Sequence, residues 1–261
     1  MKGIVKYIKI VCSFVVLFII LLGVSNCKNN NAAHEQFSGA DSRKLLSYEE
    51  LIKAQRFESL DEAFQEPENV YKLILFSQNI ESLPDKITQL DNLNSLELTN
   101  NKLSILPKDI AKLQYLQSIY LANNVFTSWP NEIFELKNLK RLNLSDNKIN
   151  QIPDDIIKLK KLEELNLSNT SLQNINPGLF KLDSLNVLIL SKNNLDSLSS
   201  DISKLKNLKK LDLTHNQLST LPTSIKELNK LERLELEGNK FSKHYVDSTL
   251  KKLLPNTIIR Y

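Results

Sequence analysis

Cysteine and glycine are scarce in this chain, and their scarcity excludes several kinds of protein. The 261 residues hold two cysteines, Cys12 and Cys27, both near the start, so no disulfide framework is available. Five glycines leave no Gly-rich phosphate-binding loop, and neither G-x-x-x-x-G-K nor G-x-G-x-x-G occurs. The motifs H-E-x-x-H and G-x-S-x-G are also missing. We therefore expect no catalytic residues, no metal site, no cofactor and no small-molecule substrate.

An excess of positive charge is also lacking. The net charge is +4, but Lys2, Lys6 and Lys9 belong to a segment that we expect to be removed. Without these three lysines, 31 basic residues face 30 acidic ones. So small an excess cannot supply the attraction to many phosphates that dominates nucleic-acid affinity, which argues against a nucleic-acid partner.

The start of the chain has the order of an export signal. Lys2, Lys6 and Lys9 precede an uncharged, largely apolar run over residues 10–26. A positive flank followed by a short apolar stretch predicts a signal peptide over residues 1–26. The run is slightly shorter than the roughly 20 residues that a membrane-spanning helix needs, so a permanent transmembrane anchor is the weaker alternative.

The end of this run resembles the lipobox of bacterial lipoproteins. Val24, Ser25, Asn26 and Cys27 follow its order of an aliphatic residue, two small residues and cysteine. The resemblance implies lipid attachment at Cys27, the alternative being an unmodified thiol next to the membrane. Asn26 departs from the usual Gly, Ala or Ser and is similar to the looser box of spirochaetes. The residue after Cys27 is Lys28, and not the Asp that resembles an inner-membrane retention signal. This difference favours the outer membrane or cell surface.

A 23-residue period dominates the rest of the chain and predicts eight repeats over residues 70–243, the last one incomplete. Aliphatic residues occupy the first, fourth and sixth positions of each repeat. The first positions are Val70, Leu93, Leu116, Leu139, Leu162, Leu185, Leu208 and Leu231. The ninth positions are Asn101, Asn124, Asn147, Asn193, Asn216 and Asn239, with Gln78 and Thr170 as exceptions. Further aliphatic or aromatic residues fill positions eleven, fourteen, eighteen and twenty-one, often with proline at fifteen.

This pattern, L-x-x-L-x-L-x-x-N-x-L, resembles that of the leucine-rich-repeat family, and residues 48–75 resemble the entry segment of spirochaete members. The resemblance implies an α/β repeat solenoid, a horseshoe with a parallel concave β-sheet. The residues agree, because alternate positions of L-x-L face one side of a strand. We expect the ninth-position asparagines to satisfy backbone groups where each strand ends, and Trp129, at an aliphatic position, to lie in the core.

The flanking segments predict a tether and two caps. Residues 27–43 are too polar to pack and predict a flexible tether. Residues 44–69 predict a helical N-terminal cap that covers the first repeat, and residues 244–261 a C-terminal cap with a helix and a last strand. Two capping-box spacings start the N-terminal helices: Ser47 with Glu50, and Ser59 with Glu62.

Functional residues are expected on the solvent side of the strands, because every other repeated position builds scaffold. Val187 and Ile189 are apolar where the scaffold does not require it, although isolated exposed aliphatics on strands are common. Ile74 and Phe76 are also apolar at solvent-side positions, but coverage by the N-terminal cap explains them equally well. The candidate partner-binding residues are Tyr120, Arg141, Asn143, Glu164, Asn166, Val187 and Ile189.

Together these features predict a membrane-anchored protein-binding module that uses its concave face. A surface-exposed, adhesin-like or host-interaction lipoprotein is the leading hypothesis. The alternative is a periplasmic lipoprotein that organises envelope components.

Overall fold

A computed structural model describes residues 44–261 and shows the predicted solenoid. Ten strands form one parallel sheet in chain order, so each strand pairs with its neighbours one repeat away. The strands are β1 (Arg56–Phe57), β2 (Lys72–Ile74), β3 (Ser95–Glu97), β4 (Ser118–Tyr120), β5 (Arg141–Asn143), β6 (Glu164–Asn166), β7 (Val187–Ile189), β8 (Lys210–Asp212), β9 (Arg233–Glu235) and β10 (Ile258–Arg260).

The sheet has two strands more than the eight repeats predict. β10 lies where a last strand was expected, and Ile258 to Arg260 align with Arg233 to Glu235. β1 was not predicted, because its two residues carry no repeat pattern. It pairs with β2, with Phe57 aligned with Leu73, because β2 would otherwise be an edge strand with unpaired backbone groups.

Short 3-10 helices form the opposite side of the first seven repeats, and one more precedes the first repeat. In five repeats the residue before the helix is proline, whose fixed φ suits a sharp entry. All eight 3-10 helices of the described residues are Pro67–Asn69, Asp85–Gln89, Lys108–Lys112, Asn131–Glu135, Asp154–Lys158, Pro177–Lys181, Ser200–Lys204 and Thr223–Glu227. The repeated isoleucines and leucines of this side are buried between the helices and the sheet.

One hydrophobic cluster runs through the stack from Phe57 to Leu254. Trp129 belongs to it, as predicted, and is 5% exposed. Its ring stacks on Phe134 with centroids 5.7 Å apart, and its Nε1 donates to the carbonyl of Gln151 at 2.8 Å. A tryptophan therefore fits an aliphatic position here because its polar atom finds a partner.

The ninth-position asparagines form the predicted internal ladder. Asn124 Nδ2 donates to the carbonyls of Leu98 and Leu121, both at 3.0 Å, and Asn124 Oδ1 accepts from the Leu103 N–H at 2.9 Å. The same arrangement recurs at Asn101, Asn147, Asn193, Asn216 and Asn239. These amides hold adjacent repeats together and are scaffold.

The eighth position has a backbone role that the sequence analysis missed. Every residue there adopts a positive φ: Ser77, Asn100, Asn123, Asp146, Asn169, Lys192, His215 and Gly238. Asn and Asp tolerate this conformation better than other side chains, which accounts for their frequency in the column. At Gly238 a Cβ would also overlap the imidazole ring of His215, so a larger residue there would require that ring to move.

Helices flank the repeats at both ends. α1 (Tyr48–Lys53) begins with a complete capping box between Ser47 and Glu50, whereas α2 (Leu60–Ala63) has only the Ser59 oxygen accepting from the Glu62 N–H. At the other end, α3 (Lys243–Tyr245), a π-helical turn (Val246–Leu250) and α4 (Lys251–Leu253) follow the last repeat. Leu250 and Leu254 close the core there.

Candidate functional site

The strand register brings all seven candidate partner-binding residues together. Tyr120, Asn143, Asn166 and Ile189 are aligned across β4 to β7, and Arg141, Glu164 and Val187 are aligned across β5 to β7. Every one of these side chains is partly exposed. Since parallel strands lie about 4.8 Å apart, the seven residues form one continuous surface, called here the concave patch.

Arg141 is the most strongly held side chain of the concave patch. Its Nε donates to Oε1 of Glu164 at 3.2 Å, and its Cζ lies 5.0 Å from the centre of the Tyr48 ring. Burial opposes the positive charge, but Glu164 and Tyr120 outweigh it and raise the pKa of Arg141. The guanidinium is therefore charged and oriented before any partner arrives.

Tyr120 stays neutral at physiological pH. Burial raises the pKa of its hydroxyl to about 12, and the Glu164 carboxylate adds to this rise while the Arg141 guanidinium opposes it. The hydroxyl therefore remains a hydrogen-bond donor as well as an acceptor on the patch.

The two asparagines of the patch are divided between scaffold and surface. Asn143 Oδ1 accepts from the Ser145 N–H at 3.0 Å, and Asn166 Oδ1 accepts from the Ser168 N–H at 2.9 Å. Glu97 with Thr99 and Asp212 with Thr214 repeat this bond. This role was not predicted, although the repeats show Ser or Thr two residues after a polar fifth position. The Nδ2 groups of both asparagines make no hydrogen bond with another described residue and can donate to a partner.

Val187 and Ile189 supply the apolar part of the patch. Both are half-exposed, and the residues aligned with them on β8 are Lys210 and Asp212. Ile74 and Phe76, the other apolar pair considered, are also half-exposed. The patch therefore ends in an aliphatic pair that borders a charged strand.

Charges of both signs follow the patch toward the C-terminus. Oε1 of Glu235 lies 3.9 Å from Nε of Arg233 and 3.7 Å from an Nη of Arg260. Burial lowers the pKa of Lys210. Acidic and basic side chains at this end of the sheet therefore pair with each other.

An N-terminal segment reaches further along the sheet than the expected cap over the first repeat. Residues 44–53, called here the strap, contact the starts of β3 to β5. The Leu46 N–H donates to Asn94 Oδ1 at 2.9 Å, and the Leu46 carbonyl accepts from Gln117 Nε2 at 2.7 Å. Tyr48 then stacks on Arg141 in the fourth repeat. These contacts were not predicted, because partners 48 and 71 residues apart leave no local pattern in the sequence.

The strap also changes which part of the concave side is accessible. Leu46 and Leu51 are buried but lie outside the main hydrophobic cluster. Ser95 and Ser118, which point to the concave side, are 8% and 2% exposed. Tyr48, by contrast, is 45% exposed beside Arg141. The strap therefore covers the concave side of the early strands and borders the concave patch.

Residues 44–261 offer neither a metal site nor a membrane-spanning helix. No group of three or more His, Cys, Asp or Glu residues in this range is placed to hold a metal ion. Nor does this range contain a helix that is both long and apolar enough to cross a bilayer. Cys27, the predicted lipid-attachment residue, lies outside the described residues.

Comparison with known proteins places the repeats in context. The leucine-rich-repeat family model matches residues 68–126, 114–172 and 183–241. No curated protein sequence matches the chain.

Solved structures with similar folds come from bacteria and plants. A leucine-rich-repeat protein of Leptospira interrogans is 36% identical with a TM-score of 0.62, over 72% of this chain and 54% of that one. An internalin of Listeria monocytogenes is 22% identical with a TM-score of 0.65, over 78% and 57%. The ectodomain of an Arabidopsis thaliana receptor kinase, in complex with Casparian strip integrity factor 2, is 26% identical with a TM-score of 0.55, over 66% and 21%. The chain thus spans little more than half the length of both bacterial proteins.

Proposed function

Because this chain belongs to the leucine-rich-repeat family, a family of protein-binding scaffolds, we propose that it binds a protein partner through the concave patch. The observation that carries the proposal is the register of β5 to β7. It sets an oriented arginine, two amide donors and two half-exposed aliphatics side by side. Aromatic and arginine side chains are the usual anchors of protein interfaces. Exposed apolar side chains grouped beside them are typical of an interaction site. Family membership also favours a scaffold over an enzyme.

Substitution of the aliphatic pair tests this proposal. The double variant Val187→Glu, Ile189→Lys should bind the captured partner at least about tenfold more weakly, since two charges would then face the partner's apolar surface. Its melting temperature should change little, because both side chains are half-exposed. Binding is measured by titrating the partner identified with the wild-type chain.

Val125 and Ile105 provide a matched control. They are 50% and 68% exposed and lie outside the strands. Val125→Glu with Ile105→Lys introduces the same charges and should leave binding unchanged. Equal loss of binding in both double variants would contradict a concave site. A large fall in melting temperature for the Val187 and Ile189 variant would show that these residues are core.

We further propose that the chain is exported and anchored by lipid at Cys27, as a surface-exposed, adhesin-like or host-interaction lipoprotein. The signal-like segment over residues 1–26 and the lipobox-like end at Cys27 support this proposal. Two or more acyl chains would anchor the protein stably. Labelled fatty acid should enter the wild-type chain and not the Cys27→Ala variant.

The periplasmic, envelope-organising alternative makes a different prediction about access. Protease added to intact cells should digest the repeats of a surface-exposed protein. Resistance until the envelope is broken would refute surface display and favour the periplasmic role.

A further inference from the structure

We propose that the starts of β3 to β5 form a binding site for an extended peptide, and that the strap occupies this site as an internal ligand. The main observation is that two side-chain amides bind the strap through its backbone. Asn94 Oδ1 accepts from the Leu46 N–H at 2.9 Å, and Asn94 Nδ2 donates to the Lys44 carbonyl at 3.1 Å. Gln117 Nε2 donates to the Leu46 carbonyl at 2.7 Å. Such bonds bind any peptide of the right path, whatever its side chains.

The two amides are built into the scaffold. Asn94 is 0% exposed and Gln117 is 4% exposed. Gln117 Nε2 also donates to Asn94 Oδ1 at 2.7 Å, and Asn94 Nδ2 donates to the Asn92 carbonyl at 2.7 Å. Each amide is thus oriented by the other, which reduces the entropy lost when a peptide binds.

The same repeat position is different in the later repeats. The second positions there are Lys140, Glu163, Asn186, Lys209 and Glu232, all of them partly or fully exposed. Long charged side chains resist the burial that Asn94 and Gln117 undergo. The described residues therefore hold one amide pair of this kind, at the second and third repeats.

Two side chains of the strap define the ligand class. Leu46 is 7% exposed, so the site encloses a leucine side chain. Ser47 is extended, with φ −64° and ψ 164°, and Tyr48 then stacks on the Arg141 guanidinium that Glu164 orients. The site therefore fits a partner protein's extended peptide that presents leucine and, two residues later, an aromatic ring.

The strap is short enough to be replaced. α1 has six residues, and Ile52 on its outer side is 52% exposed. A helix of this length is not stable without its contacts. Attachment to the chain nevertheless gives the strap an effective concentration of about millimolar, so a free peptide should bind measurably only when the strap is weakened.

The experiment uses a fluorescent peptide with the sequence of residues 44–54 and the full chain carrying Leu46→Asp. The carboxylate should expel the internal strap from its apolar contact. Anisotropy titration should show the peptide binding this variant at least about tenfold more tightly than it binds the wild-type chain. The peptide carrying Leu46→Asp should not bind either chain.

A second change locates the peptide on the amide pair. Gln117→Glu, added to Leu46→Asp, replaces the donor to the peptide carbonyl by an acceptor and should weaken binding by about tenfold or more. Asn186→Asp makes the same amide-to-carboxylate change at the same repeat position outside the site and should have no effect. Circular dichroism melting of each variant shows whether the solenoid is intact.

Three results would overturn the proposal: no binding to the Leu46→Asp chain, equal binding of the wild-type and Leu46→Asp peptides, or equal effects of the changes at Gln117 and Asn186. The peptide comparison needs no second substitution in the protein, so it decides the question even if Gln117→Glu unfolds the chain. The Val187 and Ile189 substitutions should leave peptide binding unchanged. Failure here is therefore distinguishable from failure of the concave patch.

Discussion

The early repeats and the later repeats share one core but present different concave sides. Under the strap, the third positions of the repeats, where β3 and β4 begin, are Ser95 and Ser118, both buried. From β5 onward the same position holds larger, half-exposed side chains: Arg141, Glu164, Val187, Lys210 and Arg233. Small polar residues let a covering segment approach, whereas long or branched ones hold it off. The same repeat unit therefore forms a covered surface in the early repeats and an open surface in the later ones. The two versions differ at very few positions.

The largest expected effect tests whether the two regions depend on one core. Leu190→Asp, in the open region, places an unpaired carboxylate among buried leucines and should cost more than about 4 kcal/mol. Chemical denaturation followed by circular dichroism measures the loss, with Ser191→Asp, next to Leu190 and half-exposed, as the control. If the early repeats keep their full stability in the Leu190→Asp variant, the stack is two folding units instead of one.

A smaller effect is expected from the asparagine ladder. Asn147→Ala removes bonds to the Leu121 and Leu144 carbonyls and to the Phe126 N–H, and should cost about 2 to 3 kcal/mol. Thr170→Ala, one repeat on, loses one hydroxyl, which donates to the Leu167 carbonyl at 2.8 Å and lies 3.2 Å from Asn193 Oδ1, and should cost about 1 kcal/mol. Equal losses in denaturant titrations would mean that the ladder does not carry the stability assigned to it.

The strap contact should contribute less. Tyr48→Leu keeps apolar bulk but removes the ring over Arg141, and should cost about 0.5 to 1 kcal/mol. Hydrogen exchange should become faster in residues 44–53 and stay unchanged in β7 to β9. Faster exchange throughout the sheet would show that the strap stabilises both regions alike.

The smallest effect concerns Glu97, on covered strand β3. Burial raises the pKa of Glu97 against the bonds from Thr99 that lower it. With the folded-state pKa above the unfolded value, this group favours folding most at low pH, and that contribution falls as the pH rises through the raised pKa. Glu97→Gln should therefore raise the melting temperature slightly at pH 7 and not at pH 4.

Asp212→Asn, at the same repeat position in the open region, is the matched control for Glu97→Gln. A fall in melting temperature at pH 7 for Glu97→Gln would show that the bonds from Thr99 to the charged carboxylate outweigh its burial.

Much of the solenoid could be predicted because each repeat states the same local pattern. The L-x-L alternation predicts a short strand in each of the eight repeats, and the asparagine column predicts the internal ladder. β1 could not be predicted, since Arg56 and Phe57 become a strand only when the open edge of β2 is present. The Asx-type bonds of Asn143 and Asn166 have a visible pattern that was not used.

Residue types and their period were enough to determine the parallel stack, its register and the grouping of Tyr120, Arg141, Asn143, Glu164, Asn166, Val187 and Ile189 on one side. These features follow from contacts that repeat every 23 residues. Only the tertiary structure decided where the strap lies, that Tyr48 meets Arg141, and that Asn94 and Gln117 bind a peptide backbone. Those contacts join residues dozens of positions apart through a few hydrogen bonds and one aromatic ring. Because each occurs only once, no repeated sequence pattern predicts them.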